Sequence, residues 1–476
     1  MKDLLITTEA FITTLLNKSM AGISIQLKKF LEKRSLIGLV TATAYSAVLS
    51  SGNWIIAVVS VFFFSLLTNK FVKEPNTTLI YQIYITYTVA ISLILSGPLQ
   101  LMFTRYVADR LFEKQIDRVL PNYFGALAIC MGYSFVISLF ISFYFFESLP
   151  FYYHIIFSFT ISTLSGVWLS NALLSGLKSY RYIIFSFCFC YLLIGVLLFF
   201  TSRFGIIWTF ISFYTGQVLL LFLLVTRIIL DYSTDRLFEF DFLSKRKSYY
   251  SLGVAGFFYN LGIWSDKFIF WFNPFTGNQV FGNLRTSVLY DIPIILAYIS
   301  LIPGIAIFFM KVEIEFAESY DNYYRAVRDW GRLDDLYRLG NKMIENVRTT
   351  FYDTLRVQGI WSVLIFFFEE KIFYFLKLPS LYIPLFNILL TGALLQLSFM
   401  VVFAFLSYFD KRRQIALISI IFCTGNIILS ILTQFLGPYY YGYGFALSLL
   451  IATTTGILFL RRFLDDIHYR TFVSIV

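Results

Sequence analysis

The 476-residue chain is 58% hydrophobic and only 14% charged, with a mean hydropathy of +0.74. Soluble domains carry about 25% charged residues, so this composition excludes an ordinary soluble enzyme and predicts an integral membrane protein. The net charge of +10 is read as positively charged cytoplasmic loops, with no nucleic-acid partner expected.

Taken in chain order, residues 1–19 do not form a signal peptide: Thr7, Thr8 and Glu9 interrupt the apolar run and no small-residue cleavage site follows. From Met20, Ile23, Leu27, Phe30 and Leu31 share one helical face, while Lys28, Lys29, Lys33 and Arg34 lie elsewhere. That pattern predicts an amphipathic helix on the cytoplasmic surface. Apolar runs of about 20 residues then predict twelve spans, at residues 37–67, 78–103, 120–146, 151–174, 182–200, 204–226, 249–272, 287–310, 354–376, 383–409, 414–436 and 440–460. With the N-terminus inside, the cytoplasmic segments hold about 31 Lys plus Arg and the outer segments about six. Both termini are therefore expected in the cytoplasm.

An internal repeat organises these spans. The second contains Gly97-Pro98 before Arg105, and the eighth contains Pro303-Gly304 before Lys311. The first span, with Gly52-Asn53-Trp54, is similarly matched by the seventh, with Gly262-Ile263-Trp264. The expected fold class is an all-α polytopic membrane protein of about twelve transmembrane helices in two six-helix bundles, with a path between parallel halves. The expected parts are a cytoplasmic segment at 1–36, a first bundle at 37–230, a linker at 231–248, a second bundle at 249–460 and a tail at 461–476. A cytoplasmic loop at 311–358 interrupts the second bundle. Its mixed charges and recurrent apolar residues read as cytosolic helices suited to docking a partner.

Asp266 and Lys267 are two ionisable residues inside the seventh span, where each costs roughly 2.5–3.5 kcal/mol on insertion scales. Neighbours on a helix project about 100° apart, so the two are not expected to pair simply with each other. Asp266 is the leading candidate for a polar path, binding hydroxyls or a cationic substrate or exchanging protons. A salt bridge is its structural alternative, and outward snorkelling that of Lys267. Asn260, Trp264, Asn53, Trp54 and Gln100 complete the candidate path. Arg105, Asp109 and Arg110 at the inner end of the second span, and Lys311, Glu313 and Glu315 at that of the eighth, are candidate gating residues through ion pairs between the halves. Asp291 is a candidate for closing the outer side. Gly97, Pro98, Pro303 and Gly304 are expected to let the helices bend.

Cys130, Cys188, Cys190 and Cys423 have no metal-ligand spacing, and His154 and His468 stand alone. No metal, cofactor or catalytic group is expected, and no phosphate-cradling glycine loop is present in the sequence. Transport is the leading reading. The alternatives are a drug or lipid-linked oligosaccharide exporter, and a non-transporting assembly scaffold.

Met20-Ala21-Gly22-Ile23, Leu27-Lys28-Lys29 and Ser50-Ser51-Gly52-Asn53-Trp54 resemble the opening of the Pel exopolysaccharide membrane transporter family, the PelG-like proteins. The resemblance continues through residues 104–112, Trp264-Ser265-Asp266-Lys267, Tyr290-Asp291-Ile292-Pro293 and residues 316–321. Residues 1–19 precede the point where the resemblance begins, so Met20 is an alternative start, and Asn53 stands where the family pattern suggests proline. The resemblance implies a bacterial plasma-membrane protein related to polysaccharide flippases and multidrug exporters. It further implies export of an amino-sugar-rich polysaccharide together with a cytosolic glycosyltransferase and other membrane subunits.

Overall fold

A computed structural model describes residues 38, 40–50, 52, 55–57, 60, 77–232, 234, 236–244, 249–329, 331–467 and 469. The expected amphipathic helix, Asn53, Trp54 and His468 lie outside the described residues. The helices are α1 (Val40–Ser50), α2 (Thr77–Phe112), α3 (Val119–Phe145), α4 (Phe151–Gly176), α5 (Tyr180–Thr201), α6 (Ile206–Asp231) and α7 (Tyr250–Phe272). A hairpin of β1 (Asn278–Phe281) and β2 (Leu284–Thr286) follows, then α8 (Val288–Ile299), α9 (Ile302–Lys311), α10 (Ala317–Arg328), α11 (Leu333–Phe375), α12 (Ile383–Tyr408), α13 (Arg412–Leu436) and α14 (Tyr443–Asp465). Among the described residues, nine helical stretches are long and apolar enough to cross a membrane. Helices suit that solvent because every backbone group is bonded within its own segment. The 23-residue α7 falls outside that set because Asn260, Asp266 and Lys267 lower its apolarity. At 1.5 Å per residue, its length is still about 35 Å.

Two cores divide the chain. Residues of α2 to α6, such as Tyr84, Phe157, Phe187 and Phe210, form the first. Residues of α8 to α14, such as Tyr290, Leu397, Phe422 and Phe445, form the second. Helix α7 belongs to both, with Phe270 in the second core and Trp271 in the first. A third, small cluster joins Ala42 and Leu49 of α1 to Met310 of α9, with Tyr180 and Ile184 of α5 packed against it. Phe140, Phe185, Phe222 and Phe367 face outward, as suits a lipid-facing shell.

The halves meet where α2 crosses α7. A Cβ on Gly97 would lie 2.6 Å from the Gly256 carbonyl oxygen, and one on Gly256 only 2.1 Å from the Gly97 oxygen. Only glycine permits backbones this close, as in small-residue helix crossings generally. Pro98 sits directly beside this contact, and α2 nonetheless runs unbroken for 36 residues.

The corresponding region of the other half behaves differently. The expected eighth span is divided at Ser300-Leu301, with Pro303 in the first turn of α9, where its missing N–H costs no helical bond. A π-helical turn, Val312–Phe316, then joins α9 to α10. The expected loop at 311–358 is largely helical, and its second part is continuous with the ninth span, because α11 runs without interruption for 43 residues. Leu336, Gly340, Met343, Val347, Thr350 and Thr354 are its buried positions there. Alternating steps of three and four give the seam of an antiparallel helix pair, here α11 against α10. The linker is also tied down: Asn122 of α3 receives the Asp241 amide at 2.7 Å, and Arg118 pairs with Asp241 at 2.9 Å.

Candidate functional site

Helix α7 buries Asp266 completely and Lys267 almost completely. The expectation that these neighbours would not pair is wrong. The flexible four-carbon stem of lysine brings Nζ to 3.1 Å from both carboxylate oxygens. Nor does Lys267 snorkel toward the nearer helix end. It turns back to donate to the Ile263 carbonyl at 2.7 Å and contacts the Tyr298 hydroxyl at 2.8 Å. Its ammonium lies 5.0 Å from the ring centroids of Tyr298 and Phe445, which add cation–π attraction in a desolvated site.

Asp266 is satisfied from three directions. Besides Lys267, it accepts the Tyr290 hydroxyl at 2.6 Å and the Asn426 amide at 3.3 Å. Tyr290 stacks on Phe270 at 4.0 Å, and Asn426 also donates to the Gly262 carbonyl at 2.8 Å. Gly262 allows this approach of α7 to α13, since a Cβ there would meet Phe422 at 2.7 Å. The cluster is a closed, net-neutral pair within the second bundle. In such surroundings each charge depends on the other, and losing either leaves a costly unpaired ion.

The other expected path residues are not gathered around this pair. Asn260 donates to the Gly256 carbonyl at 2.9 Å, beside the glycine crossing. Gln100 donates to Ser96 of its own helix at 2.7 Å. Trp264 packs toward the first core, 6.3 Å from Trp271.

At the α2 C-terminal end, Arg105 approaches Asp410, in the α12–α13 turn, at 3.7 Å and Asp109 at 3.2 Å. Asp109 accepts the Tyr249 hydroxyl, and Arg412 covers the Tyr249 ring at 4.1 Å. Arg412 also grips Asp410 through two bonds of 2.6 and 2.5 Å. A second bond between the halves joins Lys178, after α4, to Glu313 of the π turn at 2.6 Å. Each expected gating group thus contributes one ion pair between the halves, Arg105 to Asp410 and Glu313 to Lys178. Arg110 stays with Glu113 and Gln115 of its own half. Lys311 bonds Asp353 at 2.7 Å and Glu315 at 3.3 Å, also within one half. The chain reversals after α4 and α12 bring Lys178 and Asp410 to the seam instead.

At the opposite end, Asp291 receives Trp271 Nε1 and Thr286 Oγ1, each at 2.7 Å. The Trp271 ring stacks on Tyr87 of α2 at 4.7 Å, and the Tyr87 hydroxyl donates to the Arg285 carbonyl at 2.9 Å. The hairpin reaches over the first bundle. Phe281 packs on Phe146, Tyr153 and Phe210, while the Asn283 amide donates to the Phe145 carbonyl at 2.7 Å. Asp291 therefore acts indirectly, fixing the residues that touch the other half.

Sequence reading missed Tyr290, Tyr298, Lys178, Asp410 and the whole hairpin clasp. Gly253, Gly256 and Asn260, spaced by three and four, were the available signal for a close helix crossing on α7. Asn426 was visible as a polar residue inside a span, without a partner to assign it.

Two helical bundles joined along one seam, with cross-bundle bonds near both ends, define a multi-pass membrane protein of transporter fold. Solved structures carry the same architecture. A multidrug resistance MATE family transporter of the MOP superfamily in the outward-facing conformation matches with a TM-score of 0.63 and 12% identity, over 89% of this chain and 96% of that one. MATE in the bent conformation gives 0.66 and 12%, over 95% and 99%. A MOP superfamily transporter from Pyrococcus furiosus gives 0.63 and 12%, over 88% and 96%. No protein of curated function matches the sequence. The chain belongs to the PelG family, described as "Putative exopolysaccharide Exporter (EPS-E)", whose model matches residues 20–472.

Proposed function

We propose that this protein exports a Pel-like, amino-sugar-rich exopolysaccharide across the bacterial plasma membrane, with both termini in the cytoplasm. Family membership supports the polymer class, and the excess of Lys and Arg in alternate loops supports the orientation. The observation that carries an alternating mechanism is the Gly97–Gly256 crossing, flanked by cross-bundle bonds toward each end. Such a pivot lets one set of bonds break while the other holds. Asp266 and Lys267 contribute a charge pair that survives only while α7, α8 and α13 stay together.

Polymer is supplied by a cytosolic glycosyltransferase, acting with other membrane subunits. The 43 residues of α11 extend about 64 Å, twice the hydrocarbon thickness. Its N-terminal part, paired with α10, is therefore free to meet a cytosolic partner. Leu333 and Tyr337 lie exposed on it.

The decisive experiment places cysteines at Lys178 and Glu313 in a cysteine-free background and measures polymer secretion. Oxidation should stop secretion and reductant restore it. Secretion unchanged by a verified cross-link would rule out movement at this seam. For the partner, Leu333→Ser with Tyr337→Ser should abolish co-purification of the glycosyltransferase; undiminished recovery would sink the docking assignment.

A further inference from the structure

Helix α11 leaves one face uncovered along its whole membrane half. From residue 359 to residue 376 only Phe373 is buried, resting on Phe386 of α12 at 5.4 Å. Where this half begins, the amide of Gln358 ties the same packed face to the Ser300 carbonyl at 3.0 Å. On the opposite side Ile360, Val363, Phe367, Glu370 and Tyr374 are all exposed. Steps of three, four, three and four set them in one stripe, the pattern with which one helix meets another. Lipid tails would cover such a stripe if it were apolar throughout, and Glu370 interrupts it.

Glu369 and Glu370 lie roughly 8–9 Å before the end of α11. Among the described residues neither forms an ion pair, and one carboxylate oxygen of Glu369 is buried without a hydrogen-bond partner. Lys371 stands off the stripe, its ammonium 5.5 Å from the Phe368 ring. Asp266 and Asp291, by contrast, are each bonded by neighbouring side chains. Helix α3, equally peripheral in the first bundle, carries no carboxylate or basic residue from Val119 to Phe145. No placement of the membrane boundary suits α11 alone. Drawn beyond Phe375, it leaves outward-facing carboxylates in hydrocarbon. Drawn before Glu369, it leaves Tyr374, Phe375 and Leu381, which are 87%, 84% and 75% exposed, in water. A protein surface laid on this face relieves both conflicts.

The stripe also selects its partner. Copies of this chain share one orientation in the membrane, so a two-fold pairing through α11 would set Glu370 against its own image. Like charges apposed in a poorly solvated interface repel strongly. A helix with a cation at that level gains instead, as intramembrane ions do from an opposite charge. We propose that this stripe of α11 docks a transmembrane helix of a different membrane protein, which presents a lysine or arginine to Glu370. Ile360, Val363 and Phe367 pack on the apolar side of that helix, and Tyr374 closes the contact at its end. The assignment rests on the reading that the exporter works with other membrane subunits, and adds the face they meet and the charge they carry. It is separate from the α10–α11 surface offered to the cytosolic glycosyltransferase.

The test places the photo-reactive amino acid p-benzoylphenylalanine at Phe367 of the full-length protein in its native membrane, with the same probe at the exposed Phe140 of α3 as control. Irradiation at Phe367, and not at Phe140, should give an adduct with a second membrane protein, identified by mass spectrometry, that has a lysine or arginine in a transmembrane helix. Glu370→Lys should lower the adduct yield at least about tenfold, because like charges then face each other. Reversing the basic residue of the partner to glutamate should restore the yield, which also shows that the Glu370→Lys chain is folded. Glu370→Gln, the milder change, should lower the yield several-fold at unchanged abundance. Adducts with lipid only, an adduct with a second copy of this chain, or a yield indifferent to both Glu370 variants overturns the docking stripe. The export reading fails separately, if deleting the gene leaves polymer secretion intact.

Discussion

Gly97 and Gly256 touch backbone to backbone, and no other residue type fits at either position. The hypothetical Cβ of Gly256 would fall 2.1 Å from the Gly97 carbonyl oxygen and 2.7 Å from its carbon. Because the obstacle is backbone, no side-chain rotation relieves it. The contact lies between the charged seam of Arg105 and Asp410 and the aromatic seam of Tyr87 and Trp271, which makes it the natural fulcrum of any motion between halves.

Gly256→Ala is accordingly expected to part α2 from α7 and destabilise the protein by about 1–3 kcal/mol, the usual range for overpacking. Thermal unfolding of the detergent-solubilised protein measures this. Gly253→Ala serves as the control, since a Cβ there meets Pro98 only at 3.6 Å, ordinary contact. Equal effects of the two substitutions would remove the special role of the crossing.

Asp266→Asn leaves the Lys267 ammonium buried without its counter-charge, and such truncations cost about 3–5 kcal/mol. Asp266→Asn combined with Lys267→Met should recover much of that stability by removing both charges. Polymer secretion should remain lost in the double variant if the pair takes part in transport. A double variant that is stable and fully active would reduce the pair to a structural salt bridge.

Reversal of the Lys178–Glu313 bond offers a cleaner probe of the seam. Lys178→Glu alone sets two carboxylates at a contact of 2.6 Å in the wild type and should expose this end of the seam. Adding Glu313→Lys should restore closure. Thiol labelling of a cysteine at Met310, buried against α1 in the wild type, reports the state; the expected order is high in the single variant and low in the double. Labelling that ignores both changes would show that the bond does not hold this end.

Phe281 is the aromatic anchor of the hairpin on the first bundle. Phe281→Ala removes its contacts with Phe146, Tyr153 and Phe210. Labelling of a single cysteine at Phe210, fully buried in the wild type, should then rise several-fold, as expected for easier local opening. A still-protected cysteine would mean that the hairpin does not seal this mouth.

Much of the architecture was legible in the sequence because membrane burial writes itself as long apolar runs, one per span. The break at Ser300-Leu301 was signalled by Pro303-Gly304, since proline cannot continue a helix hydrogen-bonded behind it. The uninterrupted α11 was not legible at residue 354, because a helix leaving the membrane changes its surface composition without changing its backbone. Asp266 stood out for being charged in an apolar segment, whereas Tyr290 and Tyr298 were two tyrosines among 33.

The sequence by itself determined that the chain is a helical, multi-pass membrane protein and that α7 carries an ionisable pair, because both follow from local hydrophobicity. Only the tertiary structure decided the partners. Lys267 folds back onto Asp266 because Tyr298 and Phe445 close around it, and Glu313 meets Lys178, 135 positions away, because two bundles are brought face to face. The Gly97–Gly256 contact belongs to the same class: each glycine stands out within its own helix, but that the two meet is decided only where the backbones cross.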